Sequence, residues 1–151
     1  MYTAKWLKYD AKIPLCRLLE DAFAIREAVF VREQGFPREL EFDATDVRAW
    51  HLVLYSEERL PLATGRLYED GEGENLWHLG RIAVVKEARG TGLGRLALLE
   101  MEKMADFLDA RRLCLSAQQQ ARGFYEKLGY RPVGAEYLDE FCPHIRMEKS
   151  L

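Results

Sequence analysis

The chain has 151 residues, a formal net charge of −3 and an apolar content of 48%. That length suits one folded domain, 1–151, with a full core, and that apolar content excludes a disordered chain. The slight acidic excess argues against a nucleic-acid-binding domain, which carries a basic face. The first residues, "MYTAKWLKYDAK", hold no apolar run and no small-residue cleavage site, so no signal peptide is expected. No apolar stretch approaches the ~20 residues a membrane helix needs, and the expected location is the cytoplasm. "KWLKYD" reads as a first strand with Trp6 and Lys8 on one face. After Pro14, Leu15, Leu18, Leu19, Ala22, Phe23 and Val29 fall near helical spacing, which predicts an amphipathic helix over residues 15–30. "GFPRELEFD" ends that helix and offers a turn or a second helical piece, with Pro37 suited to a first turn.

Three strands follow: "AWHLVLYSE", then "LATGRLYED" after the turn "ERLP", then "LWHLGRIAVV" after the loop tip "GEGEN". The last is apolar enough to be central in a sheet. Leu93, Ala97, Met101, Met104, Ala105 and Leu108 mark one face of a long helix. "RRLCLSA" reads as a buried strand. Ala121, Phe124, Tyr125 and Leu128 mark another helix, which Gly129 closes as a C-terminal cap. "YRPVG" and "HIRMEK" are the final strands. This order predicts an α/β (α+β) architecture, a central mixed sheet flanked by helices. Cys16, Cys114 and Cys142 lie far apart with no zinc-ligand spacing, so three idle thiols and no metal are expected.

The segment "KEARGTGLGR" stands where a strand gives way to a helix. Backbone N–H groups at a helix N-terminus, backed by the helix dipole, form an anion site. Glycines allow close approach and unusual backbone angles. Arg89 and Arg95 add positive charge, so a phosphate or diphosphate is the expected guest. An ATPase P-loop needs Lys-Ser or Lys-Thr after its glycines, and none follows here. A dinucleotide fingerprint needs a third glycine where Arg95 stands. From the loop alone, a plain turn with a helix cap stays open.

Arg89-Gly90-Thr91-Gly92-Leu93-Gly94 matches the pattern R/Q-x-x-G-x-G/A. Farther on, Gln118, Ala121, Tyr125, Gly129 and Tyr130 match N-x-x-A-x-x-x-Y-x-x-x-G-F/Y, with Gln118 in place of the usual Asn. With these two motifs in order, the chain resembles the GNAT N-acetyltransferases over nearly its whole length. "AVFVREQGF", "WHLVLY", "LSAQQQARGFYEKLGY" and "CPHIRM" are similar to the ElaA-like branch.

The resemblance implies acetyl transfer from acetyl-CoA to an amine by direct attack in a ternary complex. It implies that Ile82, Ala83 and Val84 pair with the pantetheine arm through their backbones, and that a backbone N–H there stabilises the oxyanion. It implies that Arg89, Gly90, Thr91, Gly92, Leu93, Gly94 and Arg95 wrap the diphosphate, with Gln118, Ala121 and Phe124 completing the cofactor site. Tyr125 is then the general acid facing the CoA sulfur; spacing alone would place it in the core beside Phe124. Glu33, His51 and His144 are candidates for a general base, and all three histidines, His78 included, ordinarily titrate in a useful range. For each histidine a packed or solvated ring is the plainer reading, and water relay would need no base. Trp50, Trp77 and Tyr137 either line an acceptor pocket or make cross-strand packing.

A non-catalytic acyl-CoA-binding sensor or interaction module would keep the same loop without needing the Tyr125 hydroxyl. The expected partners are acetyl-CoA and an amine acceptor, with no nucleic acid and no membrane. Base rate alone makes a homodimer the default oligomer.

Overall fold

The computed structural model describes residues 1–12, 14–70 and 75–151. The expected loop tip "GEGEN" lies, except for Asn75, outside the described residues. The elements run β1 (Thr3–Lys8), α1 (Arg17–Arg26), α2 (Arg38–Glu41), β2 (Trp50–Tyr55), β3 (Pro61–Glu69), β4 (Leu76–Val84), α3 (Leu93–Phe107), β5 (Arg112–Gln118), α4 (Arg122–Lys127), β6 (Arg131–Asp139) and β7 (Cys142–Ser150). A π-helical stretch, Glu27–Glu33, continues α1 directly. The strands form one seven-stranded sheet in the order β1-β2-β3-β4-β5-β7-β6. All neighbours are antiparallel except β4 and β5, which are parallel.

The two faces of the sheet are covered differently. Alternation along β2 sends Leu52 and Leu54 to a cluster under α3, while Val53 packs with Ala22, Ile25 and Val29 of the first helix. Gly65 of β3 lets α3 sit close: a Cβ there would stand 2.5 Å from the Met101 sulfur. Beneath the first helix the interior is ionic. Arg26, only 1% exposed, donates through Nε to Glu41 (2.9 Å) and through Nη1 to Asp46 (2.8 Å).

The first helix and the sixth strand depart most from expectation, each for a local reason. The first helix begins at Arg17, leaving Leu15 half exposed before it, and it ends in π-helical turns in which Gln34 N–H reaches Val29 O at 3.0 Å. The extra residue per turn breaks the 3.6-residue stripe at Val29 and Phe30. The sixth strand does not stop at Gly134: that glycine, at φ 80°, sits in an irregular step between Val133 and Tyr137, and the strand runs on to Asp139. Gly129 does close α4: its N–H bonds Glu126 O, and Tyr130 N–H bonds Tyr125 O, the paired bonds of a glycine-terminated helix.

The sheet opens between its two parallel strands. β4 and β5 pair only from Leu76↔Arg112 to Leu79↔Leu115. Beyond that, β4 stays with β3 as far as Val84↔Ala63, and β5 stays with β7 as far as Gln118↔His144. A bulge bends β4 at this point: Thr64↔Ala83 and Arg66↔Gly80 leave one extra residue on β4, and Arg81 adopts φ 51°. A non-glycine residue in that region is strained. The Arg81 guanidinium counters the strain by binding Glu41 Oε2 (2.9 Å), Glu41 O (3.1 Å) and Asp43 Oδ2 (3.2 Å).

Candidate active site

Two adjoining cavities occupy the opening. The smaller, about 210 Å³, is lined by Val84, Ala88, Arg89, Gly90, Gly92, Leu93, Gly94, Arg95 and Phe124. Its roof is the turn from the 3₁₀ segment Lys86–Ala88 into α3. Thr91 Oγ1 donates to Ala88 O at 2.6 Å and fixes that turn. Gly90 (φ 79°) and Gly92 (φ 84°) hold left-handed conformations that side chains resist, and a Cβ on either would meet nothing within 4 Å. The glycines are therefore set by backbone angle, and the space above them is open to a ligand. Gly92 caps α3, so the first N–H groups of a 15-residue helix face that space without a side-chain cap. A negatively charged group fits here.

The arginines of the loop differ. Arg95 is exposed and makes no ion pair among the described residues. Arg89 is fully engaged: Nη1 and Nη2 meet Glu33 at 2.5 and 2.7 Å, and Nε donates to Val84 O at 3.1 Å. This pairing, chiefly its hydrogen bonds, holds the Glu33 carboxyl below its ordinary range. Glu33 thus projects toward the loop and is not among the residues lining the larger cavity.

Along β4, Val85 N–H bonds Leu62 O on the β3 side (2.9 Å). Alternation turns the Val84 backbone toward the opening, where Arg89 Nε meets its carbonyl, and Ile82, two residues earlier, faces the same way. Ala83 lies between them, opposite Thr64 of β3, with its side chain buried under the first helix.

The larger cavity, about 230 Å³, is a cleft between the parted strands. Gly80, Ile82 and Leu115 form part of its floor; Phe30, Gln34 and Phe36 come from the end of the π-helical stretch and the turn after it. Gln118 crosses the opening, donating from Nε2 to Gln34 Oε1 at 2.8 Å. Ala121 and Tyr125 line the wall from the α4 side, whereas Phe124, the next residue on α4, lines the loop cavity. Adjacent residues of one helix therefore face both cavities, as do Ile82 and Val84 of β4.

Tyr125 packs edge-on against Phe124 and Tyr130, and burial pushes its phenol up to about 12. Its hydroxyl makes no hydrogen bond among the described residues, so it is a protonated, unengaged donor on the cleft wall.

The histidines are separated by the fold. His144, 5% exposed, lines the cleft and lies between Phe36 and Tyr137. Its Nδ1 is 2.8 Å from Cys142 O; a carbonyl only accepts, so Nδ1 carries a proton, and Nε2 has no partner among the described residues. His51 is buried away from the cleft with Nε2 on Asp46 O (2.9 Å), and burial lowers its basicity. His78 lines the cleft, stacked on Tyr68, but burial drops it to about 4. The expectation that all three titrate usefully therefore fails at His78, because desolvation outweighs nearby Asp70.

Cys114, 3.4 Å from His78 Nδ1, is likewise held as a thiol, pushed by burial to about 11. All three cysteines are free. Trp50 and Trp77 pack against the core and are not among the cleft residues; Tyr137 stacks on His144 and shares a hydrogen bond with Ser116.

Sequence reasoning missed Phe30, Gln34 and Phe36, which the π-helical turns deliver to the cleft. It also missed Arg66, Arg81, Asp139 and Glu140. The adjacent acids in "YLDEFCP" were a readable sign, because two charges between apolar strands mark a turn.

Comparison with known proteins agrees with this arrangement. Residues 26–151 match the family model described as an acetyltransferase (GNAT) domain. The uncharacterized N-acetyltransferase YjcF of Bacillus subtilis (strain 168) is 41% identical over 134 residues, which cover 87% of this chain and 92% of that protein. The crystal structure of an acyl-CoA N-acyltransferase from Pseudomonas aeruginosa superposes with a TM-score of 0.84 at 28% identity, covering 98% of this chain and 100% of that one. Escherichia coli ElaA shares the fold, with a TM-score of 0.83 at 22% identity over 98% of this chain and all of that one. A model that matches most of the chain, on a sheet that parts beside a glycine-capped helix, shows that the protein belongs to the GNAT acetyltransferase family.

Proposed function

We propose that the protein transfers the acetyl group of acetyl-CoA to an amine by direct attack within a ternary complex. The observation that carries this reading is the unengaged Tyr125 hydroxyl on the wall of the cleft, next to the cavity under Gly90 and Gly92. A module that only binds acyl-CoA needs the second cavity and not the first.

Acetyl-CoA supplies an acetyl group already activated as a thioester. Gly90, Gly92 and the N-terminus of α3 receive its diphosphate, with Arg95 as the free cation. The open edge of β4 at Ile82 and Val84 takes the pantetheine arm, and a backbone N–H of this edge stabilises the oxyanion. Of the three candidate bases, His144 alone combines a place in the cleft with a ring nitrogen, Nε2, that no group engages among the described residues; Glu33 is paired with Arg89 and His51 lies elsewhere. His144 Nε2 takes a proton from the incoming amine, and Tyr125 gives its proton to the departing sulfur. The amine nitrogen bonds the thioester carbon and the C=O electron pair moves onto oxygen; that oxyanion then collapses and the C–S bond breaks. Cys114 and Cys142 are raised by burial, so no thiolate stands ready for an acyl-enzyme route.

Tyr125→Phe tests the reading. Acetyl-CoA affinity should hold within about twofold while kcat falls about a hundredfold, the range of general-acid catalysis. Unchanged turnover would remove Tyr125 as the acid.

A further inference from the structure

The polar groups of the cleft are of two kinds, those already answered and those left over. Arg66 and Arg81 both line it, yet neither offers a free charge. Arg66 Nη1 holds Asp43 at 2.7 Å and Asp46 at 3.0 Å, and Arg81 holds Glu41 and Asp43. With Arg26, three cations face the three carboxylates Glu41, Asp43 and Asp46, and the network closes at zero formal charge.

Asp139 and Glu140 are left over. They stand at the β6–β7 turn, line the same cleft, and make no ion pair or side-chain hydrogen bond among the described residues. Glu140 also holds φ 55° in this tight turn, a conformation that Gly or Asn adopts at less cost. A further unanswered group is independent of the acids: His144, about nineteen-twentieths buried, lines the cleft with Nε2 unpartnered. Arg66 Nε is also buried without a hydrogen-bond partner; apart from it and the Tyr125 hydroxyl, these free groups are acceptors, and the two at the rim carry negative charge. Beside that rim, Phe36 stacks on Phe141 with centroids 5.1 Å apart, and aromatic faces favour cations. A ligand complementary to this cleft brings N–H donors along its length and positive charge at the rim end.

We propose that the acceptor is a short amine bearing a second cationic group: its reacting nitrogen lies at His144 and Tyr125, and its distal ammonium is held by Asp139 and Glu140. This rests on the acetyl-transfer reading above and names the class of acceptor for it. A carboxylate at the distal end would meet like charge at the same place.

The test measures acetylated product and released CoA at saturating acetyl-CoA for diamines of three to five carbons. Each is set against the monoamine and the ω-amino acid of equal length. A charge-assisted contact at the distal end predicts about a tenfold advantage in kcat/KM for the diamine over the monoamine, with the amino acid poorest. The advantage should shrink as salt rises, because rim charges are screened. In the double variant Asp139→Asn/Glu140→Gln the diamine-to-monoamine ratio should fall toward one. Equal rates for diamine and monoamine, a preference for the amino acid, or a ratio untouched by the double variant would overturn the inference and leave acetyl transfer standing. Absence of transfer to every diamine while acetyl-CoA still binds overturns it too. Failure to bind acetyl-CoA would instead remove the acetyl-transfer reading beneath it.

Discussion

The cavity under the glycines is made almost wholly by one run of chain, residues 84–95, with Phe124 added. The cleft beside it gathers side chains from five separated stretches, reaching from Phe30 to His144. The first depends on backbone angles and an uncapped helix end; its ion pair, Arg89–Glu33, is 40% and 38% exposed. The second rests on a buried ionic frame in which Arg26 and Glu41 are 1% and 5% exposed. A pocket that binds an anion chiefly through backbone N–H groups can be built by one run of chain, whereas a cleft that selects by side chain needs groups held from several directions. The difference also fixes where the protein is mechanically vulnerable.

Substitution of matching arginines on the two sides puts that contrast at risk. Arg26→Ala strands Glu41 and Asp46 without their cation and should cost about 3–5 kcal/mol in denaturant unfolding. Arg89→Ala breaks an exposed pair and should cost no more than about 1 kcal/mol. Equal losses would mean the ionic frame is not what supports the cleft.

Gly92→Glu acts on the other cavity. It adds bulk and negative charge where the diphosphate is expected and forces a side chain into φ 84°. Affinity for acetyl-CoA should fall by at least about a hundredfold, roughly 2.7 kcal/mol. Normal affinity in a titration would sink the loop assignment.

The smallest effect is in pH. His78 stays neutral in the fold down to about 4 but takes a proton near 6.5 when unfolded. The unfolded chain therefore binds more protons between those values, and stability should decline as pH falls through that window. His78→Asn should flatten that part of the curve; an unaltered slope would assign it to other groups. Tyr125, pushed up to about 12, keeps its proton and should impose no alkaline limb on kcat below about pH 11.

Legibility in the sequence follows the same division. The shape of the loop could be read because it lies in alternating glycines and a helix start, both local signals. The long helix after it and the Gly129 cap were equally local. The cleft could not be read, because the π-helical turns at Glu27–Glu33 carry no composition of their own, and they decide that Phe30 and Gln34 face inward while Glu33 meets Arg89. Gly134 looked like a strand end and proved to be a bulge, which hid the Asp139–Glu140 turn. His51 and His144 are alike as letters. Only the register Gln118↔His144 beside the parted strands separates the cleft histidine from the one packed under the first helix.

If the glycine loop holds the diphosphate of acetyl-CoA, thermal melting of the purified protein will register it. Acetyl-CoA alone should raise the melting temperature, with a stabilisation of about 2.7 kcal/mol at a hundredfold excess over its dissociation constant. ATP and NAD, tested at equal concentration, should do little. No shift with acetyl-CoA, or a larger one with ATP, would contradict it.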